Sequence, residues 1–437
     1  MKPSIKWKTV SQKIKMAKIK LVKAWEILDS RGDPTIKTKV ILDDGIEASV
    51  SVPSGTSLGR YEAVELRDKD PNRYSGKGVL KAVAIINQGI GPGLTNVEAS
   101  LQFEIDRWLS KIDGTKNKSK LGANTILSVS LAVLKASALS SKIPLYQYVN
   151  SLLGKMGLQV EITSIPSPVF NVINGGKHGA GNLDFQEFQI IPASAKKYHE
   201  ALRTGSEIYS HIKDVLVKNN AIHSVGYEGG FAPNLYTNLD ALEIIMQAVK
   251  NSHYVFGEDI FLGLDVAASV FYSHDTYKIR DEQKPFTTEQ FIEYLVDLNN
   301  QYHLLLLEDA LSDDDWKGWQ ILTERLGSHV IIVGDDILAT NEERFARAIR
   351  ENACTAILIK PNQIGTFTET LEVVKMAKDN NFKINVSHRS GETDDTTIAD
   401  FAVGIQSEYV KFGAPARGER VAKYNRLLEI EEELNFR

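Results

Sequence analysis

The sequence predicts an α/β protein: a C-terminal eight-stranded α/β barrel preceded by a smaller N-terminal α+β domain. Three observations predict it. The 437-residue chain exceeds the size at which one hydrophobic core stops growing. Its first part runs strands before helices, the order of an α+β domain. Its later part alternates short apolar runs with amphipathic stretches, the rhythm of right-handed βα units, with an open doubly wound sheet as the alternative.

Taken in order, residues 1–18 form a basic extension, and lysines interrupt every apolar stretch of the first 23 residues, which argues against a secretory signal. From Ile19 to Ser51, alternating segments such as 35–41, punctuated by Asp-Pro and Asp-Asp-Gly, read as a small antiparallel meander. Helical spacing follows at 78–88, 102–110 and 123–138. Between Leu152 and Pro168 the pattern loosens, and the domains are placed at 19–155 and 156–437. Strands are expected at 168–172, 186–191, 261–264, 304–307, 330–333, 355–359, 383–386 and 408–410, with helices at 289–298, 342–349 and 369–378 among the later ones.

Composition bounds the function. With 43% apolar and 24% charged residues the chain is that of an ordinary globular protein. A net charge of -5 and a pI near 6.1 give no general pull toward nucleic acid or anionic lipid. The single cysteine, Cys354, excludes an intrachain disulfide and a thiolate metal cluster, and its apolar neighbours make it a core residue. Cysteine poverty suits a reducing compartment, and no uninterrupted apolar stretch approaches the roughly 20 residues of a membrane span. A cytoplasmic location with neither a nucleic-acid nor a membrane partner is therefore expected.

Charged residues stand at the ends of successive strands: Asp265, Glu308 with Asp309, Asp335 with Asp336, Lys360, His388 with Arg389, and Lys411. A lone Asp after a strand usually caps a helix or forms a turn. A series of such residues is different, because barrel enzymes carry their chemistry on the C-terminal rim of the strands. Asp265, Glu308 and Asp335 would repel one another unless a cation sat among them, and oxygen-only ligands suit magnesium or manganese over zinc; magnesium is expected. Salt bridging to these acids explains one of Lys360 and Lys411 comfortably. Two ammonium groups beside a metal would lower each other's proton affinity, so Lys360 is assigned as a base that removes a proton from carbon beside a carboxylate. The segment Ser387 to Glu392 offers an Arg fork, a hydroxyl and a glycine-freed backbone suited to a phosphate, although alone it reads more readily as a capped turn with a surface Arg. The glycine-rich loops Ser54 to Gly59 and Asn174 to Gly179 supply backbone freedom, and His178 alone reads as structural or solvated.

Together these residues closely resemble the enolase family. The matching motifs are Asp29-Ser30-Arg31-Gly32-Asp33-Pro34-Thr35, the Ser51 to Gly59 loop with Glu62 to Asp68, and Asn117 to Asn124. They continue through Asn171 to Glu187, Gly229 to Asn234, Asn362 to Thr366, Ser387 to Thr393 and Gly413 to Arg417, in order over almost the whole chain. The resemblance implies a hydro-lyase, phosphopyruvate hydratase, that reversibly dehydrates 2-phosphoglycerate to phosphoenolpyruvate in glycolysis and gluconeogenesis, on a barrel whose first units depart from plain βα repetition. It implies two Mg2+ per site, the first held by Asp265, Glu308 and Asp335 and the second joined by Ser57 as its loop closes. It makes Lys360 the base at C2 and Glu228 the acid, with Glu187 beside it. Lys411 matches the carboxylate-binding lysine, Arg389 and Ser390 the phosphate contacts, and His178, Gln186 and His388 further substrate or loop-closing groups. Arg31 and Glu432 match positions that pair across a dimer interface, which implies a homodimer or higher homo-oligomer. Three positions depart from the family pattern: Tyr227 stands where Asp is usual before the acid, Ala310 where Pro is, and Leu58 where Thr is. Loss of a carboxylate beside Glu228 would alter the proton affinity of that acid. These departures motivate two alternatives, a paralogue acting on a related phosphoryl or phosphonyl carboxylate and a non-catalytic binding or structural relative.

Overall fold

The computed structural model describes residues 17–55, 59–179 and 181–435, so Ser57, Leu58 and most of the basic extension lie outside the described residues. Strands Ile19–Leu28, Pro34–Leu42 and Glu47–Ser51 form the antiparallel meander, with Val22 opposite Val40 and Val40 opposite Ala48. Those pairs share one face of the pleat, and that face is buried under the helix Ala123–Ser140, where Thr38 Oγ1 donates to Ser128 Oγ at 2.9 Å. This 18-residue helix is long and apolar enough to cross a membrane by composition, but 83% of it is buried inside the protein. The helix Leu145–Lys155 runs past Leu152, so the loose connector begins later than the sequence pattern suggests.

The remaining strands close into a barrel. Ser167–Pro168 pairs with Tyr409–Lys411, and Phe170–Asn174 pairs with Glu187–Pro192, so one strand bent at Val169 joins the two ends of the sheet. Val169 N donates to Val410 O at 2.8 Å across the seam. The other staves are Ile260–Asp265, Leu304–Glu308, Ile331–Gly334, Ala356–Ile359 and Lys383–Ser387, in sequence order around the sheet. Closure excludes the open doubly wound alternative. Strand Glu187–Pro192 runs antiparallel to both neighbours, and two helices, Tyr198–Lys218 and Asn238–Lys250, precede the next strand; every later pairing around the barrel is parallel. The simple βα rhythm therefore starts only at Ile260.

Period-two alternation then decides which side chains enter the barrel. Val169, Ile191, Leu306, Val333, Ala356, Leu358 and Tyr409 form an inner apolar layer separate from the outer core, to which Leu307, Ile332, Ile357, Ile359 and Val410 belong. Two residues beyond an inward-facing position the chain again points inward. Leu306 is thus followed by Glu308, Val333 by Asp335, Leu358 by Lys360 and Tyr409 by Lys411. On the reversed strand, Ile191 leads back through Gln189 to Glu187.

The N-terminal domain is tied over this rim. Asp106 of helix Gln102–Asp113 accepts from Thr368 N at 2.9 Å and Thr368 Oγ1 at 2.6 Å in the first turn of Phe367–Asp379, where the helix dipole favours an anion. Lys118 Nζ meets Glu369 at 2.7 Å. Ser54 and Gly391 exchange backbone hydrogen bonds of 2.8 and 2.9 Å.

Behind the seam strand, a Cβ on Gly205 would lie 2.2 Å from the buried Phe170 ring. Gly205→Ala is expected to destabilise the protein by about 1–3 kcal/mol through overpacking despite the better helix former, read as a lowered melting temperature by circular dichroism.

Candidate active site

At the open end of the barrel the inward register gathers more acid than base, and most of it is buried. Lys411 Nζ sits at the centre, 2.7 Å from Glu308 Oε1, 3.1 Å from Glu187 Oε2 and 3.3 Å from Asp265 Oδ2. Glu308 and Asp265 lie side by side on neighbouring strands, and Gln186 Nε2 donates to Asp265 Oδ2 at 3.2 Å. Burial and then the neighbouring carboxylates push Glu308 well above the usual range; burial also raises Asp265, against the pull of Lys411. Burial works against the ammonium of Lys411, but Glu187, Glu308 and Asp265 outweigh it and hold its proton firmly.

Next along the rim, the Lys360 ammonium contacts Asp335 Oδ2, and Gln363 Nε2 donates to Asp335 Oδ1 at 3.3 Å. Asp309 accepts from the backbone N of Asp335 and of Asp336, each at 2.9 Å, and so shapes the turn that carries both. Flanking cations act on Lys360 in the expected direction, but in the site without a metal a carboxylate opposes them. Burial, Arg389 and Lys411 act in that direction, but the Asp335 carboxylate outweighs them and the ammonium is favoured. Asp335 is lowered in turn: burial opposes the shift, and Lys360 followed by Lys411 overcomes it.

Across the mouth stands a second cluster. His178 Nδ1 lies 3.4 Å from Glu187 Oε1 and 3.4 Å from Glu228 Oε2, and Asn171 Nδ2 donates to Glu228 Oε2 at 3.0 Å. His388 Nε2 is 3.4 Å from the same Glu228 oxygen. Burial disfavours the imidazolium of His178, yet Glu228 and Glu187 raise it to about 10. Glu228 is held well below the carboxylate range; its burial acts upward, and His178 and His388 override it. These shifts favour the proton of this cluster on His178, beside Glu228. His178, which alone read as structural, belongs to the centre of the site.

The third wall carries two arginines. Arg389 is gripped by Glu62, with Nη1 2.7 Å from Oε2 and Nη2 3.2 Å from Oε1, and its Nη1 donates to Asn362 Oδ1 at 3.1 Å. Arg420 donates to His388 Nδ1, Arg389 O and Ser390 O, each at 2.6 Å. A donor at Nδ1 makes that nitrogen the acceptor and leaves the proton on Nε2, facing Glu228. Burial depresses His388 further, with Arg420 assisting against Glu228.

One cleft is lined by His178, Gln186, Glu187, Glu228, Asp265, Asp335, Lys360, His388, Arg389, Ser390 and Lys411, and Glu308 lies fully buried beneath it. Ser57 cannot be placed, since it falls outside the described residues. Tyr227 is 47% exposed and Ala310 is buried in the core, and neither lines the cleft. Only the backbone carbonyl of Tyr227 reaches inward, accepting from Arg420 Nη2 at 3.1 Å. The Arg31 guanidinium is turned onto its own chain, 3.0 Å from Asp29 Oδ2 and 2.9 Å from Ser54 Oγ, while Glu432 is exposed.

Sequence reasoning gave no role to Glu62, Arg420 or Asn171. Glu62 stood inside a recognised motif but is 327 residues from Arg389. Asn171 lies two residues beyond the inward-facing Val169, a signal the alternation rule could have supplied. Arg420 sits in a charge-rich helix where nothing local marks it.

The site fits a divalent cation. Asp265 Oδ1 and Glu308 Oε2 are buried with no hydrogen-bond partner among the described residues, a costly state for carboxylate oxygens that a cation would relieve. Asp309, Asp335 and Asp336 also bring one oxygen each within 4.8 Å of one another. Comparison with known families adds to this: the model described as enolase, N-terminal domain, matches residues 19–149, and the model described as enolase, C-terminal TIM barrel domain, matches residues 162–437.

His178 provides a direct check. Its folded value lies above the unfolded one, so the stability it contributes is complete below about pH 6.5 and is lost as pH rises toward about 10. By 15N-imidazole NMR, His178 should stay protonated through neutral pH, and Glu228→Gln should move its titration down toward neutrality.

Proposed function

The chain belongs to the enolase family, and on that premise we propose that it reversibly dehydrates 2-phosphoglycerate to phosphoenolpyruvate. The observation that carries this reading is the opposition of two proton-handling groups. The strand leading to Lys360 lies four staves from the strand that begins at Glu187, which is halfway around an eight-stave barrel. A substrate between them would meet a base on one face and the His178–Glu187–Glu228 cluster on the other.

In this reading the substrate carboxylate lies toward Lys411 and its phosphate toward Arg389 and Ser390. Glu62 and Asn362 hold the Arg389 fork in a fixed orientation, which is what bidentate recognition of a phosphate needs. Lys360 Nζ takes the proton from C2. Arg389 and Lys411 favour release of the lysine proton and Asp335 opposes it, so a cation held by Asp335 would favour the free amine. The C3 hydroxyl then leaves as water, taking the proton of the cluster, which passes from His178 to Glu228 and from Glu228 to the departing oxygen. Separate acid and base allow removal of the C2 proton to precede loss of the hydroxyl. Mg2+ would be held by Asp265, Glu308 and Asp335, supplying positive charge where negative charge builds on the substrate carboxylate. Two such ions per site, a homodimeric or higher assembly, a cytoplasmic location and a place in glycolysis and gluconeogenesis complete the proposal.

Purified protein given 2-phosphoglycerate should show a magnesium-dependent rise in ultraviolet absorbance that EDTA abolishes. Absence of turnover at every pH tried would sink the reading. Lys360→Ala should lower C2 proton exchange by roughly 100- to 10,000-fold. Glu228→Gln should retain measurable exchange while losing dehydration, and equal loss of both would contradict the separation of roles.

A further inference from the structure

On the rim beside the cleft, one guanidinium joins three segments that the chemistry above uses only indirectly. Arg344 lies in the first turn of the helix Glu342–Glu351. Its guanidinium carbon stands 3.5 Å from the centroid of the Tyr61 ring, which belongs to the N-terminal domain, and 5.0 Å from that of Trp316 in the barrel. Its edge is used on backbone: Nε donates to Ile337 O, and Nη2 donates to Asp313 O at 2.5 Å. Asp314 Oδ1 lies 3.4 Å from Nη1 and also accepts from the Tyr61 hydroxyl at 2.7 Å. Ile337 is in the turn that follows Asp335 and Asp336, and Asp313 is in the loop that follows Glu308 and Asp309. Tyr61 immediately precedes Glu62, the residue that grips Arg389. Glu62 Oε1 accepts from Gly59 N at 2.9 Å, so residues 59–62 fold around that carboxylate.

We propose that Arg344 is a positioning residue for the Arg389 fork: stacked on Tyr61, it holds residues 59–62 against the barrel and keeps Glu62 in register with Arg389. Glu62 and Arg389 come from different domains and are both buried, so their geometry depends on how this segment is docked. Ala63 N donates to Gln363 O at 2.8 Å and ties the segment on its C-terminal side; the Arg344 stack ties it on the other. The residue type matters. A flat, delocalised cation can lay its face on a ring while its edge donates to two carbonyls, which an ammonium cannot do. Burial decides which contact counts: the neighbouring Arg60–Asp314 pair is exposed and worth little, whereas the Arg344 side chain is only 13% exposed. The inference rests on the assignment of Arg389 to the substrate phosphate in the function proposed above.

Arg344→Lys keeps the charge and loses the flat face and the fork. With 2-phosphoglycerate and saturating magnesium it should raise KM roughly three- to thirty-fold, the worth of one partly desolvated cation–π contact, and leave kcat within about two-fold. A staple that served stability alone would lower the melting temperature and leave KM of the folded protein where it was. Tyr61→Leu should raise KM by a similar factor, Tyr61→Phe, which keeps the ring, should raise it less, and the double variant Arg344→Lys with Tyr61→Leu should be little worse than either alone. Arg347 provides the control, since it lies over the same Trp316 ring at 4.2 Å but pairs with Glu351 of its own helix; Arg347→Ala should leave KM unchanged. An unmoved KM in folded Arg344→Lys would overturn the proposal, as would a larger loss in kcat than in KM, losses that simply multiply in the double variant, or a KM shift that Arg347→Ala reproduces. Absence of any turnover of 2-phosphoglycerate would sink the proposed reaction by itself. Titration calorimetry with inorganic phosphate would then decide the positioning role: weaker binding to Arg344→Lys than to the parent chain sustains it, and equal binding, or none to either, overturns it.

Discussion

The structure depends on a buried excess of negative charge at the mouth of the barrel, held in place by one ammonium group. Lys411 touches Glu187, Asp265 and Glu308, which come from three strands, and it is itself fully buried. Breaking such a group by removing one partner leaves an uncompensated buried charge, which is far costlier than any surface pair. The compensation is also incomplete: Asp265 Oδ1 and Glu308 Oε2 have no hydrogen-bond partner among the described residues, and Glu308 is pushed well above its ordinary proton affinity, first by burial. The site is built to receive more positive charge than its own side chains bring.

The rest of the molecule holds that arrangement still. The inner apolar layer fixes the barrel interior beneath the charges, and strand alternation aims Glu308, Asp335, Lys360 and Lys411 above it. The N-terminal domain contributes more than cover. Its Glu62 fixes Arg389, and its turn at Asp29 to Asp33 is joined to the loop that carries His388, Arg389 and Ser390. From the far end of the chain Arg420 sets the tautomer of His388 and binds two carbonyls of the same loop. The arginine-bearing wall thus needs three distant segments, and both domains must fold for it to exist.

Much of this was legible in the sequence, for a definite reason. Short apolar runs and the charges that end them are local patterns, and a closed barrel converts local position along a strand into a place on one rim. Asp265, Glu308, Asp335, Lys360, His388 and Lys411 could therefore be found without coordinates. The bend at Val169 could not, because it depends on which strands close the seam. Proton affinities depend on contacts that no local pattern displays. Lys360 sits between cations that favour loss of its proton, and its contact with Asp335 opposes them in the site without a metal. The missing carboxylate at Tyr227 was expected to matter to Glu228, yet that side chain faces outward, and the charges that override the burial of Glu228 are those of His178 and His388.

The sequence by itself determined the two-part architecture, the family and the identity of the residues gathered at the site, because residue type, order and period are properties of the chain alone. Tertiary structure decided how those residues share charge: which ammonium neutralises which acid, that the histidines override the burial of Glu228, and that Glu62 and Arg420 brace the loop carrying Arg389. Coulombic interaction and desolvation depend on distance and burial in three dimensions, and neither quantity exists until the chain has closed.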